Sequence, residues 1–174
     1  MITGVGSAIK ALKPEIKIWG VEPETAAPAA LSFAKGSPQV FENFKQSFVD
    51  GAGGRSVFPR MWERMKPVVD GYIVVSLEET KKAMRLMAEK ARIISEGAGA
   101  LPVAAALTGK AGKGPIVAIV SGGNIDLEEI LRVGLAVTQL NTSHSPRQRF
   151  SRLRRNGRYG TCYRRFAYSA VARF

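Results

Sequence analysis

The sequence predicts an α/β fold, a mostly parallel sheet flanked by helices. Three observations point there. Apolar β-forming runs, "GYIVVS" (71–76) and "PIVAIV" (115–120), alternate with stretches of helical period. Strands alternating with helices imply βαβ units and parallel pairing. The run 115–120 is apolar on both faces, which suits a central strand in a covered sheet. The length of 174 residues allows one ordinary domain with a real core.

Each element has its own signal. "GVGSAIKALKP" (4–14) reads as a helix, with Ala8, Ile9 and Leu12 at helical spacing and Pro14 ending it. "EIKIWGVEP" (15–23) alternates and then runs apolar, so a strand is expected to leave at Glu22-Pro23. "PAALSFAKG" (28–36) has Pro28 at a helix start and Gly36 past its end. Residues 37–54 lack a period and read as loop, and "VFPRMWERM" (57–65) as a short helix. After the strand 71–76, Ser76 and Glu79 form a capping-box pattern. That helix is expected to run to about Arg92 with Met84, Met87, Ala88 and Ala91 on its buried side. "RII" (92–94) reads as a short strand and "EGAGALPVAAALTG" (96–109) as an alanine-rich helix whose small residues permit close approach. "LEEILRVGLAV" (127–137) gives a last amphipathic helix.

The net charge of +12 is unevenly placed. Residues 1–137 hold 17 basic and 14 acidic residues, whereas 138–174 hold nine arginines and no acid. The basicity therefore belongs to the tail. A single cysteine, Cys162, excludes an internal disulfide framework. No apolar run has membrane-spanning length and no signal-peptide pattern opens the chain, so a soluble cytoplasmic protein is expected.

The tip "SGGN" after the run 115–120 poses the functional question. In parallel sheets, ligands bind beyond the carboxyl ends of strands. Gly122 and Gly123 let backbone approach a bound group, and the Ser121 hydroxyl can donate or accept. The alternative is a tight turn into a helix capped by Asn124 or Asp126.

The order "GVEP", "DGAGG", "EGAGA", "VAIVSGGNID" resembles the C-terminal half of the fold-type II pyridoxal-phosphate (PLP) enzymes, tryptophan synthase β-like in fold. It is most similar to serine/threonine dehydratases (threonine ammonia-lyases) and serine racemase. The opening "MITGVGSAIKALKPEIKIWGVEP" resembles the segment that follows that family's glycine-run phosphate loop. The resemblance covers about residues 2–135. It implies PLP as cofactor, a small hydroxy amino acid as substrate, and a homo-oligomer. It implies that Ser121 bonds the pyridine nitrogen, that Gly122, Gly123 and Asn124 shape the loop around the ring, that Glu96 lies beside the cofactor, and that Gly51 lines the site. A cation site in some relatives would fall on Glu22, Ala26 and Pro28. Pro28 offers no carboxylate, so no metal is expected, with Glu22 and Ala26 as weak candidates.

The family's Schiff-base lysine stands in a Ser-Phe/Tyr-Lys-x-Arg-Gly context that none of the lysines here has. Lys45 in "NFKQSF" lacks the arginine and glycine and reads as a solvated loop residue. The resemblance thus implies a truncated dehydratase, inactive alone, with residues 1–137 as part of the large domain. The arginine-rich stretch 138–174 reads as a disordered or out-of-frame extension. The other reading is a non-enzymatic module binding nucleic acid through 143–174, where arginines interleave with Phe150, Tyr159, Tyr163, Phe166 and Tyr168. His144 and Cys162 have no partners in the sequence to form a site.

Overall fold

The computed structural model describes residues 1–135. In chain order the elements are α1 (Ile2–Leu12), β1 (Trp19–Pro23), α2 (Pro28–Lys35), α3 (Pro59–Met65), β2 (Gly71–Val75), α4 (Leu77–Leu86), α5 (Gly97–Leu107) and α6 (Leu127–Ile130). Strands β1 and β2 pair in parallel, Trp19 opposite Gly71 and Pro23 opposite Val75. The crossover between them carries α2 and α3, as a parallel pair requires.

Two apolar clusters flank this pair. On one side α5 packs on β1 and β2 and α4 packs on α5, burying Ile73, Val75, Met84, Met87 and Leu101. On the other, Trp62 and Met65 of α3 pack with Ile18, Ala29 and Val69. Phe33 of α2 meets the Trp62 ring edge-on at 5.1 Å and the Tyr72 ring at 5.3 Å. Helix α1 approaches through Gly6, where a β-carbon would lie 3.1 Å from the Val68 carbonyl oxygen.

The helix ends follow local chemistry. Pro28 opens α2, and Gly36 closes it at φ 73. Ser76 and Glu79 form the expected reciprocal cap on α4, with Ser76 Oγ accepting from Glu79 N–H at 3.1 Å and Glu79 Oε2 from Ser76 N–H at 2.7 Å.

Several expectations need correction. In α1, Ile9 packs but Ala8 and Leu12 are exposed. The first strand begins at Trp19, not at Glu15. Helix α4 passes into a π-helical turn, Met87–Ala91. The wider turn rotates the last residues off the packed face, so Ala83 is buried while Ala88 is half-buried and Ala91 exposed. Residues 92–94 form no strand. Arg92 turns left-handed at φ 61, and Ile93 N–H bonds back to the Met87 carbonyl. The run 115–120 joins no ladder among the described residues. It buries Ala118 but leaves Val117 67% and Ile119 41% exposed, so one side has cover and the other none. The last helix is a single α-turn, with Asp126 at its start making no side-chain cap bond, followed by a π-helical turn, Leu131–Leu135.

Candidate functional site

The site is assembled from glycines. Helix α5 begins "GAGA", and these small residues bring its first turn against neighbouring backbone. A β-carbon on Gly99 would strike the Ser121 carbonyl oxygen, and one on Gly97 would meet Val49 at 2.9 Å. Glycine at 99 therefore allows the tip after 115–120 to lie on α5. The Glu96 N–H completes the junction on the Gly122 carbonyl oxygen at 3.4 Å.

Glu96 occupies the N-cap of α5, yet its side chain makes no cap bond. The half-buried carboxylate instead fills the space beside two glycines. A β-carbon on Gly51 would sit 3.0 Å from Glu96 Oε1, and one on Gly122 would overlap the same carboxylate. Gly122 also holds φ at 81, a conformation that L side chains resist.

A cleft of about 330 Å³ opens here. At its polar end lie Ser121, Glu96, Gly51 and Glu22. The rest is an apolar trough walled by Ile2, Val5 and Ile9 of α1 and by Pro102 and Ile119. The fold thus gathers Ser121, Glu96 and Gly51 from three separate stretches, with Gly122 touching Glu96 from behind. Gly122, Gly123 and Asn124 are exposed and do not line the cleft. Lys45 is also elsewhere, in a small loop pocket with Arg55 and Ser47. Residues 143–174, with His144 and Cys162, lie outside the described residues.

Glu22 has a role that the motif reading missed. It is 5% exposed, and both its oxygens are engaged by the start of α2, accepting from Ala29 N–H at 3.1 Å and Ala30 N–H at 2.8 Å. Burial pushes its carboxyl up to about 7, and the amides of Ala30 and Ala29 offset this only in part. The Ala26 carbonyl oxygen is covered by Gly53. Glu22 and Ala26 are thus committed to backbone contacts, and among the described residues no group of three or more His, Cys, Asp or Glu is placed to hold a metal. The available signal was the start of α2: Ala27 at its N-cap cannot satisfy the orphan amides, so a nearby carboxylate should. Tyr72 also lines the cleft. Burial first, and then the Glu22 charge, push its phenol above the usual range.

A parallel α/β fold with a cleft whose polar, glycine-bordered end lies at the carboxyl ends of its strands belongs to the class of proteins that bind a small ligand there. The family model of the pyridoxal-phosphate dependent enzymes matches residues 1–122, and the chain belongs to that family. The catabolic L-threonine dehydratase of Staphylococcus aureus (strain N315) is 40% identical over 136 residues, spanning 75% of this chain and 39% of that protein. Among solved structures, the threonine deaminase of T.th. superposes with TM-score 0.65 at 33% identity, over 72% of this chain and 46% of that one. Maize serine racemase gives 0.66 at 31%, over 75% and 43%. The chain therefore spans about two fifths of the curated relatives it matches. The fold is that of the fold-type II PLP enzymes. Among the described residues no helix is long and apolar enough to cross a membrane.

The polar end fits the cofactor that the family implies. Ser121 offers a neutral hydroxyl, Gly51 keeps the surroundings free of a side chain, and Met1 and Ile2 bring the N-terminus of α1 to the cleft, where free amides favour an anionic group.

Proposed function

We propose that residues 1–137 are part of the large domain of a PLP-dependent serine/threonine dehydratase, which converts a small hydroxy amino acid to a 2-oxo acid and ammonia by β-elimination. One observation carries this reading: Ser121, Glu96 and Gly51 converge on one cleft. The relatedness to threonine dehydratase and threonine deaminase supports the choice of reaction.

PLP, when bound, supplies an electron-withdrawing ring that acidifies the substrate α-carbon. The residues here orient that ring. The Ser121 hydroxyl would meet the pyridine nitrogen and, being neutral, would not compel its protonation. Gly51 would leave room for the ring, and Gly122 leaves room for the Glu96 carboxylate. The Glu96 carboxylate sits at the same end as an acceptor for protons or hydroxyl groups. The amides at the start of α1 would receive the phosphate. No lysine in the sequence stands in the family's Ser-Phe/Tyr-Lys-x-Arg-Gly context, so this chain holds the cofactor without a covalent link and does not turn over alone.

The test is a PLP titration of the chain, followed by cofactor absorbance and tryptophan quenching. Ser121→Ala should weaken binding about tenfold, the loss expected for one hydrogen bond to a buried ring nitrogen. Borohydride reduction should then leave no single lysine carrying the cofactor. Equal affinity in the Ser121→Ala variant, or stoichiometric labelling of one lysine, would sink the reading.

A further inference from the structure

A smaller cavity of about 230 Å³ lies next to the cleft. Ala52 and Gly53 border both spaces and form the partition between them. One loop builds this cavity. An antiparallel bridge between Val40 and Ser56 closes the neck of the loop, with Phe41 N–H on the Arg55 carbonyl oxygen at 2.7 Å and Val57 N–H on that of Gln39 at 3.3 Å. The body of the loop wraps the chain just after β1. Lys45 N–H bonds the Thr25 carbonyl oxygen at 2.9 Å, and a β-carbon on Gly53 would overlap the Ala26 carbonyl oxygen. Both limbs are thus pinned to residues 25–26, which fixes the space between them.

The lining is rich in unspent donors. Lys45 and Arg55 both border the cavity, and among the described residues neither makes an ion pair. Both are exposed, so a ligand enters from solvent. The Arg55 guanidinium lies 4.6 Å from the centroid of the Phe44 ring. Such stacking occupies the face of the guanidinium and leaves its N–H edge for an acceptor. Ser47 adds a third donor. Its oxygen accepts from the Thr25 hydroxyl at 3.3 Å and the Val49 N–H at 3.2 Å, so its own proton turns away from both. One acid, Asp50, shares the lining and stands beyond ion-pair distance of the two cations. Two cations and one acid leave a single positive charge. An anion of one charge neutralises it, whereas a doubly charged phosphate overshoots and meets Asp50.

We propose that this loop cavity is a binding site for a small monocarboxylate. Its oxygens take the N–H edge of Arg55, the Lys45 ammonium and the Ser47 hydroxyl, in the charge-assisted manner that suits a carboxylate. Its short apolar remainder lies toward Val49 and Ala26, both buried. The site is separate from the polar end of the cleft, and the partition at 52–53 makes its occupant a neighbour of that cleft.

The test uses the full chain without cofactor, so its failure leaves the PLP reading intact and a failed PLP titration leaves this one intact. The chain, labelled with nitrogen-15, is titrated with sodium acetate in exchange for sodium chloride at constant ionic strength. Amide shifts in 44–55 should saturate with acetate, while those of α4 and α5 stay in place. Arg55→Gln should weaken the apparent affinity about tenfold, the loss expected for one hydrogen bond to a charged group. Lys45→Gln, which leaves the stack of Arg55 on Phe44 intact, should weaken it as well. Asp50→Asn should strengthen it, and Lys13→Gln, at the end of α1, should leave it unchanged. Inorganic phosphate should shift the same amides less than acetate does. Shifts that grow without saturating would mean an adventitious ion only and would overturn the proposal. So would full affinity in both Arg55→Gln and Lys45→Gln, a weaker one in Asp50→Asn, or a stronger response to phosphate than to acetate.

Discussion

Glu22 accepts a hydrogen bond from the N–H of Ala30 at 2.8 Å, tying the end of β1 to the first turn of α2. The bond satisfies a helix amide that Ala27 cannot reach, but it keeps a carboxylate out of water. The Glu22 carboxyl rises from 4.5 to about 7. The folded chain then holds a proton that the unfolded chain has released, so this group's contribution is complete below about pH 4.5 and is lost as pH climbs through about 7. Stability should fall by roughly 3 kcal/mol or less over that window. Glu22→Gln should flatten the slope, read as urea midpoints from pH 4 to 8. An unchanged slope would assign the effect to another group.

Asp70 titrates in the opposite sense. Burial raises its carboxyl, but the Ile18 amide at 2.8 Å and the ammonium groups of Lys10 and Lys17 outweigh it and bring it from 3.8 to about 2. Its contribution is present above about pH 3.8 and is lost as pH falls through about 2. Asp70→Asn should cost about 1 kcal/mol at neutral pH, discounted for solvent screening, and should remove that acid limb. Acid titration of both forms by circular dichroism checks it.

Gly122→Ala combines two penalties. The residue must hold φ at 81, and its new methyl group must displace the Glu96 carboxylate. The expected loss is about 1–2 kcal/mol from backbone strain alone, together with weaker PLP binding. Gly54→Ala, where a β-carbon meets open space, is the control and should change neither.

Ser95 is 3% exposed, and its hydroxyl has no hydrogen-bond partner among the described residues. Removing an unpaired buried hydroxyl relieves a desolvation cost. Ser95→Ala should be neutral or stabilising by up to about 1 kcal/mol, measured as a thermal midpoint. A loss above that would mean the hydroxyl has found a partner in solution.

The sequence was most legible where a signal is local. The Pro28 and Gly36 boundaries of α2 and the Ser76–Glu79 cap are each set by residues within one turn, and each stands as expected. That Ser121, Glu96 and Gly51 border one cleft was also traceable, because ordered glycine-rich motifs mark backbone that must come close. The run 115–120 misled for a physical reason. Its composition states what a strand there would need on both faces, but a ladder also needs an adjacent edge, which no local pattern reveals. Ala91 was misplaced because a π-helical turn breaks the 3.6-residue period on which the buried face was drawn. Glu22 was read through a motif only as a weak metal candidate, while the missing cap at Ala27 pointed to its role as an acceptor for α2.

The parallel pairing of β1 with β2 also bears on how the chain reaches this state. The clasp from Ile18 to Asp70 closes across 52 residues, whereas α4 docks on α5 across a short connection. Closure of so long a loop must be met before its contacts return anything. The β2–α4–α5 unit should therefore collapse first, with β1 arriving after the rate-limiting barrier. On that schedule, changes in the Ile18–Asp70 clasp hasten unfolding and leave the folding rate almost untouched.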